Sequence, residues 1–192
     1  MSTYELILSR RTIRQFKPIP IARAILERIV NAGRLAPSAG NMQPLEFVVV
    51  DDREMCRRVF PCLRWAAYIA PHGNPRPGQE PVAYIFPVIN LGIREKGYEN
   101  DVGAAVENMI LTAWEEGIGS CWLISVERAK AAEMLGLPPD YRIDSVLALG
   151  YPAERPVIED FAGSVKYWKD EQDVLHVPKR RLVDVLHFNR FR

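Results

Sequence analysis

Three short segments of this 192-residue chain concentrate the groups that chemistry uses. The first is S-R-R-T-I-R-Q-F, residues 9–16, where Arg10, Arg11 and Arg14 surround the hydroxyl of Thr12. Guanidinium forks match phosphate oxygens in two-point contact, so the segment describes an anion cradle, although the same residues also describe a solvated, charged turn. The second is A-P-S-A-G-N-M-Q-P, residues 36–44, a loop stiffened by proline at both ends. Its Asn41 and Gln43 each offer a donor and an acceptor, which suits the polar edge of a heteroaromatic ring; taken alone it is also an ordinary helix-to-strand turn. The third is Lys179-Arg180-Arg181, either a solvated basic face or a second patch converging on the same anion as the first.

Other chemistries lack their residues. The chain has no G-x-G-x-x-G, no P-loop, no G-x-S-x-G and no H-E-x-x-H. His72, His176 and His187 stand apart from one another and from Cys56, Cys62 and Cys121, so neither a metal site nor a Cys–His nucleophile is expected. The three cysteines form no C-x-x-C pair and read as inert thiols in a reducing compartment. Any reaction is therefore expected to be carried by a bound cofactor.

Composition sets the frame. Apolar residues at 48% and charged residues at 26% describe one soluble globular domain. A net charge of +1 argues against a dedicated nucleic-acid binder. The charged N-terminus lacks the apolar core of a signal peptide, and the longest apolar stretch, 82–93, is interrupted by Pro87 and too short to span a bilayer. A cytoplasmic protein without a membrane segment is the expectation.

The elements that must position these segments follow from periodicity. Ile25, Leu26, Ile29, Val30 and Gly33 recur at helical spacing from Ala22, with Pro37 as the stop. Leu45–Val50 reads as a buried strand, 54–63 as a short helix, and the proline-rich stretch 71–81 as a loop. Strand character resumes over 82–91, where Pro87 suggests a sheet edge or a bulge. The longest helix covers 100–116; Gly103, Ala104, Ala105 and Ala113 leave room for a second helix against it. A strand at 120–124, a helix at 126–135 and a strand at 143–150 follow. Beyond Tyr151-Pro152 the pattern becomes irregular, with a small hairpin expected from 165–168 and 174–177. Mixed runs of this kind predict an α+β fold, a sheet flanked by helices.

Taken in order, these segments resemble the nitroreductase family of FMN-dependent enzymes. The resemblance is carried by residues 9–16, by A-P-S-A-G-N-M-Q-P with the following L-E-F-V-V-V, by D-V-G-A-A-V-E-N-M-I-L-T-A-W-E-E-G-I-G-S-C-W (101–122), by A-L-G-Y-P-A-E (148–154) and by K-R-R-L-V-D-V-L-H-F (179–188). It spans nearly the whole chain and implies a single domain with a central mixed sheet, working as a homodimer with FMN at the interface. Ala39 and Leu45 stand where the family often has serine and tryptophan, and 157–178 reads as an insertion before the basic cluster.

Carried over residue by residue, the resemblance implies that Arg10, Thr12 and Arg14 meet the FMN phosphate, ribityl chain and pyrimidine edge, with Arg11 between them contributing through its backbone. Pro37, Ser38, Ala39 and Asn41 reach the flavin of the partner subunit. The backbone of Trp122, Leu123, Ile124 and Ser125 faces the ring, and Lys179 and Arg181 close on the phosphate, with Arg180 as the alternative in register. Trp65, Tyr68 and the 71–81 loop are expected to cover the substrate. No side chain is expected to act as the catalytic acid or base, since flavin N5 would take the hydride of NADH or NADPH and pass it to an electron-poor acceptor such as a nitroaromatic or quinone. A flavin-consuming or oxygen-using enzyme of the same fold, and a non-catalytic flavin-binding protein, are the alternatives.

Overall fold

In the computed structural model, which describes residues 1–191, the chain opens on helix α1 (Thr3–Ser9). Its start is a capping box in which Ser2 accepts from Glu5 N and Glu5 accepts from Ser2 N. None of its residues is buried, and Tyr4, Ile7 and Leu8 are exposed. Strand β1 (Phe16–Lys17) precedes helix α2 (Arg23–Arg34), which buries Leu26, Ile29 and Gly33. Strand β2 (Leu45–Val50) has the predicted bounds, but only Val50 is buried. It pairs on one side alone, so part of its apolar run faces outward.

Helix α3 (Arg53–Val59), capped by Asp52, continues as a 3-10 turn through Cys62. The next long elements are strand β3 (Ala83–Asn90), helix α4 (Glu99–Glu115) and strand β4 (Gly119–Leu123). They are followed by helix α5 (Arg128–Leu135), strand β5 (Tyr141–Ile143) and strand β6 (Val146–Pro152). The main sheet runs β1-β6-β3-β2, with β4 joining at β6 and β5 at β3. Its ladders are antiparallel. Parallel pairing enters through the single bridge between Thr12 and Ser120, so the expected mixture of directions in this sheet is confined to that contact.

β3 organises the core because successive side chains leave opposite faces. Ala83, Ile85 and Ile89 pack into one cluster with α2 and α4, whereas Tyr84, Phe86 and Val88 pack into a second with α3 and α5. Helix α2 lies along α4 where Gly33 meets Met109 and Ala105, the close approach that the small residues of α4 predicted.

Pro87 lies in this central strand and not at a sheet edge. Ile85 pairs with Leu147 and Val88 with Ile143, so Phe86 and Pro87 face Asp144, Ser145 and Val146. The extra residue is a bulge opposite the proline, where the ladder is already interrupted by the missing N–H. It also divides the strand predicted over 143–150 into β5 and β6.

Three further strands form a separate small sheet. β7 (Val157–Asp160) runs parallel to β9 (Leu175–Lys179), and β8 (Trp168–Lys169) pairs antiparallel with β9 through Trp168–His176 and Lys169–Leu175. A hairpin forms as expected, but β8 shares only Trp168 with the expected 165–168; β7 lies in a stretch read as irregular. Among the described residues no helix is long and apolar enough to cross a membrane, and no cluster of His, Cys, Asp and Glu is arranged to hold a metal.

Candidate functional site

The 9–16 segment is laid onto the sheet by two glycines. Ile13 N donates to Ser120 O at 2.9 Å, beside the Thr12–Ser120 bridge. Gly119 pairs with Gly150 across β4 and β6. A Cβ on Gly119 would meet Ile13 at 2.6 Å, and one on Gly150 would meet Phe16 at 2.8 Å. Only hydrogen at both positions lets the arm lie this close, with Ile13 and Phe16 as its buried anchors.

The arm is then fixed at its far end. Glu154 Oε1 accepts from Arg14 N at 2.5 Å and from Gln15 N at 3.2 Å. Gln15, buried, donates through Nε2 to Asn74 O at 3.0 Å and accepts at Oε1 from Arg76 N at 2.9 Å. One amide side chain therefore fastens the proline-rich loop to the arm. Sequence reasoning assigned no role to Gln15 or Glu154, although both stand inside the quoted blocks.

These contacts fix the arginines differently. Arg11 turns back on α1, its Nη1 donating to Leu8 O and Arg10 O at 2.7 Å each, as a cation at a helix C-terminus does. Arg10 is half-buried, and among the described residues its side chain has no partner. Arg14 runs inward: its Nε is buried without an acceptor, and its guanidinium carbon lies 5.2 Å from the centre of the Tyr167 ring. Its charge acts on the buried Cys121 thiol of β4. Burial pushes that thiol up to about 11, Arg14 opposes the shift and Glu154 adds to it.

The end of β4 is the other wall. Trp122 is partly exposed and its indole N–H donates to Ser145 Oγ, the bulge residue, at 2.7 Å. Leu123 is buried, whereas Ile124 and Ser125 are exposed. Ile124 O accepts from Arg128 and Ser125 O from Arg64 N, but among the described residues the N–H groups of Ile124 and Ser125 donate to no acceptor. Tyr68, exposed, packs against Tyr167 with ring centres 5.0 Å apart. Trp65 does not join this cover: it is buried against Phe60 in the core, which corrects its expected place over the substrate.

The 36–44 segment is built on α4. Ala39 N donates to Asp101 Oδ1 at 3.0 Å, and Asp101, buried, is paired through Oδ2 with Arg94 at 3.0 Å. Ser38 Oγ accepts from Gln43 N at 3.0 Å, while Gly40, Asn41 and Gln43 adopt positive φ. Pro37, Ala39 and Asn41 are exposed and Ser38 half-exposed, so the loop presents its polar groups outward. No hydrogen bond among the described residues joins it to the 9–16 arm within the chain.

Among the described residues no hydrogen bond or ion pair joins the basic cluster to the arm. Lys179 ends β9 and is exposed. Arg180 donates to Asp184 O at 2.7 Å, and Arg181 makes a two-point pair with the Asp184 carboxylate at 3.0 Å for each bond. His176 belongs to the small sheet, stacked on Trp168 at 4.3 Å and bonded to Glu159 and Asp170.

A family model, Nitroreductase family, matches residues 7–151, which includes the arm, the 36–44 loop, α4 and β4. The chain belongs to the nitroreductase family. Over 190 residues it is 33% identical to an Archaeoglobus fulgidus protein named by assignment as an NADH dehydrogenase/NAD(P)H nitroreductase, covering 95% of each chain. Its fold matches that of a Desulfovibrio desulfuricans structure described as a nitroreductase in complex with FMN, at a TM-score of 0.70, 23% identity, and 100% and 99% coverage. The NADPH:FMN oxidoreductase of Vibrio harveyi, solved with NAD+, matches at a TM-score of 0.68 and 22% identity over 99% of this chain and 78% of that one. In this chain the small sheet of β7, β8 and β9 lies beyond the residues matched by the family model.

Proposed function

We propose that this nitroreductase-family chain is an FMN-dependent NAD(P)H oxidoreductase that passes reducing equivalents to a planar, electron-poor acceptor. One observation carries the proposal. The arm that lies across Gly119 and Gly150 sets the buried, acceptor-less Arg14 Nε near β4, at whose end the N–H groups of Ile124 and Ser125 lack protein acceptors. A cation, further donors and an exposed strand end suit a flat ring with an acceptor-rich edge. Relatives named for FMN and for NAD(P)H support the same cofactor and co-substrate.

In this scheme Arg10, Thr12 and Lys179 hold the phosphate and ribityl chain, and Arg181 joins them by exchanging Asp184 for phosphate oxygens. Arg14 holds the pyrimidine edge, where a fixed cation favours negative charge on reduction. Trp122, Leu123, Ile124 and Ser125 orient the ring through their backbone. FMN, when bound, supplies the hydride acceptor and donor. Tyr68 and Tyr167 bound the space in which nicotinamide and acceptor take turns.

The proposal includes a homodimer in which Pro37, Ser38, Ala39 and Asn41 of one chain complete the site of the other. Support comes from surface left uncovered on a single chain: Tyr4, Ile7 and Leu8 of α1, and Leu182, Val183, Phe188 and Phe191 of the tail. Apolar side chains left exposed in groups on these two segments suit burial against a second copy.

The test is direct. Purified protein is expected to be yellow, to sediment as a dimer and to release FMN on denaturation. Mixing it with NADH or NADPH without oxygen is expected to bleach the flavin band, and a quinone to restore it. Colour without bleaching by either nicotinamide would remove the reductase assignment and leave a flavin-binding protein.

A further inference from the structure

Arg14 has a carboxylate at its backbone and leaves it unused. Glu154 Oε1 accepts from Arg14 N and Gln15 N, whereas among the described residues Glu154 Oε2 accepts from nothing. A half-buried arginine beside a carboxylate ordinarily pairs with it, because a charge removed from water needs a partner. Among the described residues the Arg14 guanidinium makes no ion pair, and its Nε is buried without an acceptor.

An aromatic ring takes the place of that partner. The guanidinium carbon lies 5.2 Å from the centre of the Tyr167 ring. Tyr167 is half-buried, packed on the core cluster of α3 and α5 and on Tyr68 at 5.0 Å between ring centres. Its hydroxyl makes no hydrogen bond among the described residues, so the ring alone meets Arg14. The segment that carries the ring is fastened without help from Arg14. Trp168 and Lys169 pair with β9, Lys169 bonds Asp173 at 2.9 Å, and Asp173 pairs with Arg76 of the proline-rich loop. Gln15 ties the same loop to the arm. Tyr167 also lies beyond residues 7–151, so the family match gives it no role.

We infer that Tyr167 is a positioning residue whose ring keeps the Arg14 charge off Glu154 and aimed at the pyrimidine edge of the flavin, making bound FMN easier to reduce. This role rests on the proposed assignment of that edge to Arg14. A cation on a ring face keeps its full charge, since the ring carries a quadrupole and no net charge to cancel it. The same guanidinium paired with Glu154 would present a neutral pair to the flavin and lose most of its hold on the negative charge of reduction. The third group beside Arg14, the Cys121 thiol, adds no rival anion, because burial pushes it up to about 11.

The experiment is an anaerobic redox titration of the purified, flavin-loaded protein against a reference dye. Tyr167→Leu keeps apolar cover but removes the ring. It is expected to lose ~3- to 10-fold of the preference for reduced over oxidised FMN, a midpoint lower by ~14–30 mV at 29.6 mV per tenfold for two electrons. Tyr167→Phe is expected to keep the parental midpoint. In an Arg14→Ala background Tyr167→Leu is expected to shift the midpoint no further, because two residues that act through one contact are not additive. An unchanged midpoint in Tyr167→Leu would overturn the inference. So would an equal shift in Tyr167→Phe, or in the Arg14→Ala background, where general loosening of the segment would still act. A protein that purifies without flavin and takes up none would overturn the flavin reading itself, and the inference with it.

Discussion

The guanidinium carbon of Arg14 lies over the ring of Tyr167, 5.2 Å from its centre, and the contact joins the arm over the main sheet to the small sheet that follows it. The contact brings a side chain from outside the family-matched region onto a residue proposed to hold the flavin. Tyr167 in turn packs on Tyr68, and Asp173 of the same segment pairs with Arg76 of the proline-rich loop. The small-sheet segment therefore borders the candidate site through Tyr167 and Asp173.

The two residues of this pair are expected to contribute unequally. Arg14→Ala removes a charge-assisted bond of roughly 1.5–3 kcal/mol and should weaken FMN about 10- to 150-fold. Tyr167→Ala removes a cation–π contact of about 0.5–1 kcal/mol at a partly exposed position and should weaken FMN only a few-fold. Flavin fluorescence titration of both variants checks the order; an equal loss would move the main role from Arg14 to the aromatic pair.

Gly119→Ala should damage both stability and cofactor binding. The new methyl overlaps Ile13 at 2.6 Å, and Ile13 is a buried anchor of the arm, so relief requires the arm to lift. Overpacking of this kind costs about 1–3 kcal/mol. The expected result in urea is a lower midpoint with an unchanged slope, accompanied by weaker FMN binding. Parental affinity in a destabilised variant would show that the arm does not carry the flavin.

Asp101 is expected to control the 36–44 loop from a distance. Asp101→Ala removes the acceptor of Ala39 N and leaves Arg94 without its carboxylate, a loss of roughly 3–5 kcal/mol where one partner of a buried pair is deleted. Asp101→Asn keeps an acceptor and should cost less. Urea unfolding orders the two variants. In the dimer proposed here, both should also lower flavin occupancy, because the displaced loop belongs to the neighbouring site.

The small sheet should respond to pH through His176. Its hydrogen bond to Asp170, then that to Glu159, holds the imidazole above its ordinary value of 6.5, while partial burial opposes this. A group raised on folding contributes stability that is complete below the unfolded value and is lost as pH rises through the folded one. Asp170, held below 3.8 chiefly by the same bond, loses its share as pH falls through its own folded value. The β8–β9 contact is thus expected to be firmest between these limits and to loosen above 6.5. Trp168 fluorescence reports it, being stacked on His176 at 4.3 Å. His176→Gln should flatten the alkaline limb; an unchanged titration in that variant would assign the response to another group.

The sequence by itself determined the elements and the segments that could do chemistry. Apolar spacing located α2, β2 and α4 to within a residue or two, because helix and strand periods are local properties of neighbouring side chains. The arginine-rich arm and the 36–44 loop were visible as residue types, since an anion cradle needs guanidiniums and a stiff loop needs proline, but the seat of the arm on Gly119 and Gly150 was not. Tertiary structure alone decided the partners. Strand pairing uses backbone groups common to all residues, so nothing in the string placed Pro87 opposite a bulge in the centre of the sheet instead of at its edge. The same holds for β7, which joins β9 from a stretch without strand periodicity. Asp101 beneath Ala39, Gln15 across the loop and Tyr167 on Arg14 each join residues far apart in the chain, and such contacts exist only once the two packed faces of β3 have brought the surrounding elements into register.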